Sequence, residues 1–325
     1  MQHRFSAGAG ACARAGMPPS HRTAGPRTHN GFSMPTIYLA ALAAVVIWGA
    51  SPVATKIAVA EIDPVAVAYL RTLIGGLAAM GLALAMRLPL PLLSAQRRLL
   101  AVSATCGFIL FPLLFTIGVR MTSANHATII LAALPVFTAA IASAWDRLWP
   151  SRLWWLGVLV TMAGEAVLIF GRDAGAAGQA NLAGDLMVLT GNLFASLGYV
   201  AGARLQQTGY PATGVTFWGA GLTALLLLPL VFLVIPDPAA LAVSTRAWSG
   251  LLYQALAVTI VGYVLWYWAL GRGGIAKLGL MQFLQPVSGV ILAALLLGEL
   301  MGGSFLLAVA LVLSGVWISL RAMRS

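Results

Sequence analysis

Three ionisable side chains stand where almost everything around them is apolar: Glu165 in VTMAGEAVLIF, Lys56 in SPVATKIAVA and Arg71 in AVAYLRTLIGG. A charge held in hydrocarbon is costly unless it is protonated, paired or set in a water-filled cavity, so each is a functional hypothesis by default. A carboxyl at mid-depth that can gain and lose a proton is what a proton-coupled device needs, which makes Glu165 the proton-coupling candidate. Its structural alternative is a bridge between helices, neutral or paired with Arg71. Arg71 could receive a carboxylate-bearing molecule or serve a gate. Lys56, near a helix end, is expected to snorkel to the interface where Glu61 and Asp63 lie. Asn125 and His126 stand at another boundary. Histidine is the side-chain type that exchanges a proton near neutrality, although an interfacial histidine with no such role is commoner.

Uncharged groups complete the set. Trp48, Asn192, Tyr263, Gln282 and Gln285 fall near mid-depth, where polar atoms must face protein or water. They are substrate-binding candidates together with Arg71, against the blander role of linking helices. Pro135 and Pro286 each fall about ten residues into an apolar stretch. Proline removes a helical hydrogen bond and frees a carbonyl, so both are hinge candidates, with a static kink as the alternative. Trp145, Trp149, Trp154 and Trp155 crowd one boundary, and Trp266, Tyr267 and Trp268 another. These read as an aromatic belt.

The elements that must position these groups are helices in a bilayer. Apolar residues make up 60% of the 325 positions and charged residues 8%, with a mean hydropathy of +0.93. A soluble domain would carry about a quarter charged residues. Ten apolar stretches are expected at roughly 36–58, 65–86, 99–119, 124–145, 153–170, 182–203, 213–235, 248–270, 276–297 and 303–320, each near the ~20 residues that span hydrocarbon as a helix. Pro135 and Pro286 are 151 positions apart, as are Gly164 and Gly315. A shared offset at two landmarks suggests a duplicated unit, the first over 36–172 and the second over 182–320. Five stretches per unit is an odd number, so the second unit enters from the opposite side. The expected fold is an all-α polytopic membrane protein: ten transmembrane helices in two inverted five-helix repeats. Such repeats expose one central site alternately to each side.

The net charge of +11 is a topology signal. Arg120, Arg172 and Arg246 are the basic residues of the loops on one side, against fourteen in the tails and loops that share the N-terminal side. By the positive-inside rule both termini are cytoplasmic, and the excess gives no reason to invoke nucleic acid. Residues 1–33 are rich in Ala, Gly, Pro and Arg and hold no acid. They are expected to be a disordered cytoplasmic leader, or to precede a true start at Met34. Cys12 and Cys106 make no disulfide framework, and no metal spacing occurs.

Four segments carry a resemblance: VIWGASPVATKIA, DPVAVAYLRTLIGGL, GVRMTSANHATIILAALPVFTA and LQPVSGVILAALLLGE. In order and spacing they resemble the EamA-type members of the drug/metabolite transporter superfamily, over about residues 36–320. The resemblance implies ten helices in two inverted repeats and export of small metabolites, often amino acids or toxic compounds, driven by an ion gradient or exchange. Trp48 and Lys56 match the first-helix pattern, Arg71 the second-helix arginine, Pro135 and Pro286 the prolines of helices 4 and 9, and Gly298–Glu299 the closing Gly-Glu. SAWDRLW departs from the Gly-Glu-Arg usual after helix 4, and Glu165 stands where an apolar residue is commoner.

The expected function is secondary-active export across the cytoplasmic membrane, by proton antiport or exchange. The expected partners are a small-molecule substrate and the bilayer, with a homodimer left open. No cofactor, metal or catalytic residue is expected. An intramembrane enzyme would need a nucleophile–base or metal-ligand constellation, and His3, His21 and His29 all lie in the leader. A channel is the nearer alternative, without a filter motif or charged ring to support it.

Overall fold

Prolines decide where the long apolar stretches stay continuous. The computed structural model describes residues 34–147, 151–170, 181–266, 269, 281, 284–299 and 302–322. The first stretch is two helices, α1 (Met34–Gly49) and α2 (Ser51–Ala58), parted at Ala50 with Pro52 in the first turn of α2. Helix α3 (Pro64–Ala85) starts on an Asp63 cap, whose carboxylate accepts from Val65 N at 2.8 Å and Ala66 N at 3.2 Å. Helix α4 (Ser94–Ala104) widens into a π-helical segment, Thr105–Leu110, before α5 (Phe111–Met121). The next stretch is again parted, into α6 (Ala124–Ala132) and α7 (Leu134–Asp146), with Pro135 in the first turn of α7. Helix α8 (Arg152–Phe170) follows.

Helix α9 runs over Leu182–Gln207 and α10 over Ala212–Leu227, the latter continued by a 3-10 turn into the short α11 (Val231–Val234). Helix α12 (Thr245–Leu252) runs directly into a second π-helical segment, Tyr253–Gly262. Helices α13 (Leu284–Leu297) and α14 (Gly303–Ala322) complete the chain, and Pro286 is buried in the first turn of α13. Among the described residues there is no strand. Among the described residues seven helical runs are long and apolar enough to cross a membrane, and Arg152–Gly164, Leu284–Leu297 and Gly303–Ser319 are shorter apolar helices.

Glycines let these helices meet backbone to backbone. A Cβ on Gly157 would lie 2.6 Å from the Gly315 carbonyl, and one on Gly315 would lie 2.4 Å from Thr161 N, so α8 and α14 pack along a small-residue seam. Across the bundle a Cβ on Gly49 would stand 2.7 Å from the Gln285 carbonyl, which locks α1 against α13. Backbone cannot give way as a side-chain tip can. Gly49→Val is therefore expected to cost at least the ~1–3 kcal/mol of an overpacked core. A lowered melting temperature in detergent checks this, and an unchanged one would show that the two helices can part freely.

Hydrogen bonds define two ends of the bundle. At one, the Ala85 end, Arg204 meets Asp146, Gln96 meets Thr208, and Tyr210 donates to the Pro89 carbonyl. Burial raises the Tyr210 phenol, which lies between α9 and α10, to about 12. At the other, the Ala58 end, the termini of α2, α5, α6, α9 and α13 converge.

Candidate functional site

The two π-helical segments face a common space. A cavity of about 280 Å3 is lined by residues of both, Phe108 from the first and Val258 and Thr259 from the second. Its other walls come from α1 to α7, α9, α10, the helical turn 263–266 and α13. No described residue of α8 or α14 lines it. A π-turn widens the helix and misaligns one carbonyl, which is why such turns recur at functional sites.

Each irregular helix leaves backbone groups that something else must satisfy. Pro112 has no N–H to offer the carbonyl four residues back, and the Thr72 hydroxyl donates to that Phe108 oxygen at 3.0 Å. At the break between α1 and α2, the Tyr253 hydroxyl donates to the Ile47 carbonyl at 2.9 Å and the Gln254 amide to the Ser51 carbonyl at 2.5 Å. At the break between α6 and α7, the Asn192 amide donates to the Ile130 carbonyl at 2.9 Å. The second π segment repeats the pattern in reverse, its Val258 carbonyl accepting from the Trp48 indole at 3.2 Å.

Aromatic rings form one wall. Trp48 lies 5.2 Å from Tyr263 and 5.5 Å from Trp266, centroid to centroid, and the Tyr263 hydroxyl is 3.5 Å from that of Tyr199. Gly262 makes room for this, since a Cβ there would stand 2.5 Å from the Trp48 indole nitrogen. Arg71 supplies the only charged side chain among the described lining residues. It is 6% exposed, its Nη1 has no hydrogen-bond partner among the described residues, and Tyr263 is its electrostatic neighbour.

The Ala58 end is shut by polar contacts. Glu299 accepts from the backbone N–H groups of Ala124 and Asn125, both at 2.8 Å, and so caps α6 with a carboxylate from the end of α13. Gly298, at φ +67°, gives the left-handed turn that aims Glu299 back. The Lys56 ammonium donates to the carbonyls of Val119 and Thr122. Fully buried Asp185 accepts from the Thr122 hydroxyl at 2.5 Å and lies 3.2 Å from the His126 ring. Outside the spans, two hydrogen bonds from Ser244 hold Glu61 below the usual carboxylate range. None of these residues lines the cavity, whose wall instead reaches Gln206 toward the Ala85 end.

The sequence candidates divide accordingly. Trp48, Arg71, Tyr263 and Gln285 come together on the cavity. Asn192 is fully buried against the α6–α7 break and is not part of the lining. Gln282 and the side chains of Pro135 and Glu165 lie outside the described residues. Helix α8, which carries Glu165, contributes no described residue to the wall. Two expectations are corrected. Lys56 turns toward α5, not toward Glu61 and Asp63, because the last carbonyls of α5 lack helical partners. Trp266 and Trp154 are buried at 7% and 1% exposure and so are no belt, one tilted against Trp48 and the other covered where α8 meets α14. Trp145 and Trp155 are exposed, while Trp149, Tyr267 and Trp268 lie outside the described residues. Thr72, Gln254 and Glu299 were not singled out as site residues. Pro112, four residues after the carbonyl that Thr72 serves, was the available signal.

The EamA-like transporter family model matches the chain twice, over residues 35–170 and 182–321. The chain belongs to the EamA-like transporter family. The twofold match covers all the helices that wall the cavity. Among its relatives are an uncharacterized transporter, YdeK, of Bacillus subtilis, 32% identical over 79% of this chain and 88% of its own. A probable amino-acid metabolite efflux pump of Salmonella typhimurium is 28% identical over 87% of this chain and 94% of its own. One of that description in Escherichia coli is 26% identical with the same coverage. A solved crystal structure superposes over 90% of this chain and 99% of its own, at 20% identity and a TM-score of 0.57, and shares the fold. This EamA-like chain is thus a multi-pass membrane transporter that moves a small molecule, and its relatives are described as transporters or efflux pumps.

Proposed function

We propose that the protein is a secondary-active exporter of small organic metabolites in the cytoplasmic membrane. In this reading ten helices form two inverted five-helix repeats, with both termini cytoplasmic. The cavity is then open toward the cytoplasm and sealed at the outer, Ala58 end. The single observation that carries the reading is a cavity walled by both halves and shut at one end by contacts between them. Export requires those contacts to break and a matching seal to form at the Ala85 end, which is alternating access. The names of the efflux-pump relatives favour amino-acid metabolites as the cargo class.

Coupling is by proton antiport or exchange, with Glu165 as the proton carrier. Its place within the apolar α8 supports that role, because an intramembrane carboxylate is retained at a cost. Vesicles holding the purified protein test both parts. Counterflow of labelled cargo against unlabelled cargo is expected, and a channel would equilibrate without it. Glu165→Gln should abolish transport driven by a pH gradient and spare exchange at equal pH. An unaltered pH dependence would leave Glu165 a structural residue.

A further inference from the structure

We propose that Arg71 is the anion-receiving group of the cavity, and that the cargo is a small carboxylate with no cationic centre, its apolar body lying against the Trp48–Tyr263–Trp266 wall. This rests on the reading of the cavity as the transport site.

Arg71 lines the cavity and is nine-tenths buried, and its Nη1 has no hydrogen-bond partner among the described residues. A buried charge without a partner is among the most expensive features a protein can hold. An arginine fork matches a carboxylate with two parallel N–H···O bonds, so a bound carboxylate relieves that cost and cancels the one charge of the described lining.

The described lining offers no carboxylate to an ammonium group. The chain has eight acidic residues. Glu61, Asp185 and Glu299 are engaged at the Ala58 end, Asp63 caps α3 and Asp237 caps the turn at Pro238. Asp146 pairs with Arg204 at the Ala85 end. Glu165 is on α8, no described residue of which lines the cavity, and Asp173 follows that helix in sequence. The described lining therefore holds one cation and no carboxylate. A zwitterion would bring an ammonium into a space whose one charge among the described lining residues repels it, with neutral hydroxyl and amide oxygens and ring faces, the latter at roughly 0.5–2 kcal/mol, but no described carboxylate to compensate. A monoanion meets the cation and leaves its apolar remainder to the rings. The volume of about 280 Å3 keeps the ligand small, at the lower edge of the roughly 300–1,000 Å3 of small-molecule sites.

Titration calorimetry on the full chain in lipid nanodiscs decides it. The probes are two skeletons in three forms: 3-phenylpropanoate, 3-phenylpropanamide and phenylalanine, then 4-methylpentanoate, 4-methylpentanamide and leucine. At least one acid is expected to bind, with a Kd at least tenfold below those of its amide and its amino acid. Arg71→Met should erase that preference, and Arg71→Lys, which keeps the charge without the fork, should retain part of it. The proposal is overturned if neither acid binds, if an amide or amino acid binds as tightly as its acid, or if Arg71→Met keeps the preference. Should Arg71→Met not fold, the wild-type comparison and Arg71→Lys decide alone. An acid that binds without counterflow in vesicles would remove the carrier function and leave the anion site standing. Counterflow of a non-acid by a protein that binds neither acid would do the reverse.

Discussion

Glu299→Ala is expected to open the Ala58 end of the bundle. In the wild-type protein the Glu299 carboxylate takes the first two free N–H groups of α6, at 2.8 Å each, and lies near the Lys56 ammonium. It thus joins the two halves where they must separate for cargo to leave. Hydrogen bonds to a charged group are worth about 1.5–3 kcal/mol each, and every ~1.4 kcal/mol shifts a two-state equilibrium tenfold. Losing both bonds should raise the open population at least tenfold. Thr128, 3% exposed and one turn along α6 from the capped N–H groups, reports on it. In a chain lacking Cys12 and Cys106, Thr128→Cys should react with a membrane-impermeant thiol reagent at least tenfold faster once Glu299 is alanine. Glu299→Gln keeps one acceptor and should fall between. Equal labelling of Thr128→Cys with and without Glu299 would mean that the seal lies elsewhere.

Nothing in the composition foretold that seal, although the all-helical, membrane-crossing character was legible. Near-continuous apolarity and the proline positions marked where helices run and where they part, and the break at Ala133 falls two residues before Pro135. The π segments were not legible. TCGFIL and YQALAVTIVG are nearly all apolar, so a shift from i+4 to i+5 bonding moves no polar residue off an apolar face. For the site, sequence gave depth and not azimuth. Asn192 and Tyr263 were both placed near mid-membrane, yet one turns to a broken helix and the other to the cavity. Only packing distinguishes them, because α9 meets α6 and α7 along the Asn192 face. Arg71 was found because a cation is conspicuous among aliphatic residues. Gln254 was not, since a lone amide in an apolar helix looks like a helix link until its partners are known.

Those partners make Gln254 the position of largest expected effect in the interior. Its side chain is fully buried and bonds the Ser51 carbonyl, the Ser51 hydroxyl at 2.9 Å and the Thr55 hydroxyl at 2.7 Å. It ties the second π segment to α2 just below the break at Ala50. Gln254→Leu leaves these groups buried and unsatisfied, at about 1–3 kcal/mol for each. A loss of roughly 3 kcal/mol or more in unfolding free energy is expected, read as a large drop in melting temperature. Removing the partners as well should recover most of it, because replacing both sides of a buried hydrogen bond by apolar groups of similar shape can be nearly neutral. In the triple variant Gln254→Leu, Ser51→Ala, Thr55→Val both hydroxyls are gone and the Ser51 carbonyl keeps its bond within α2. A triple variant as unstable as the single one would place the cost in packing and not in polarity. A triple variant that is stable but exchanges no cargo would show a second role for the network. Apolar side chains can fill the joint between α2 and the π segment, but they cannot re-form directional bonds as that joint moves, and alternating access needs the joint to close again after each cycle.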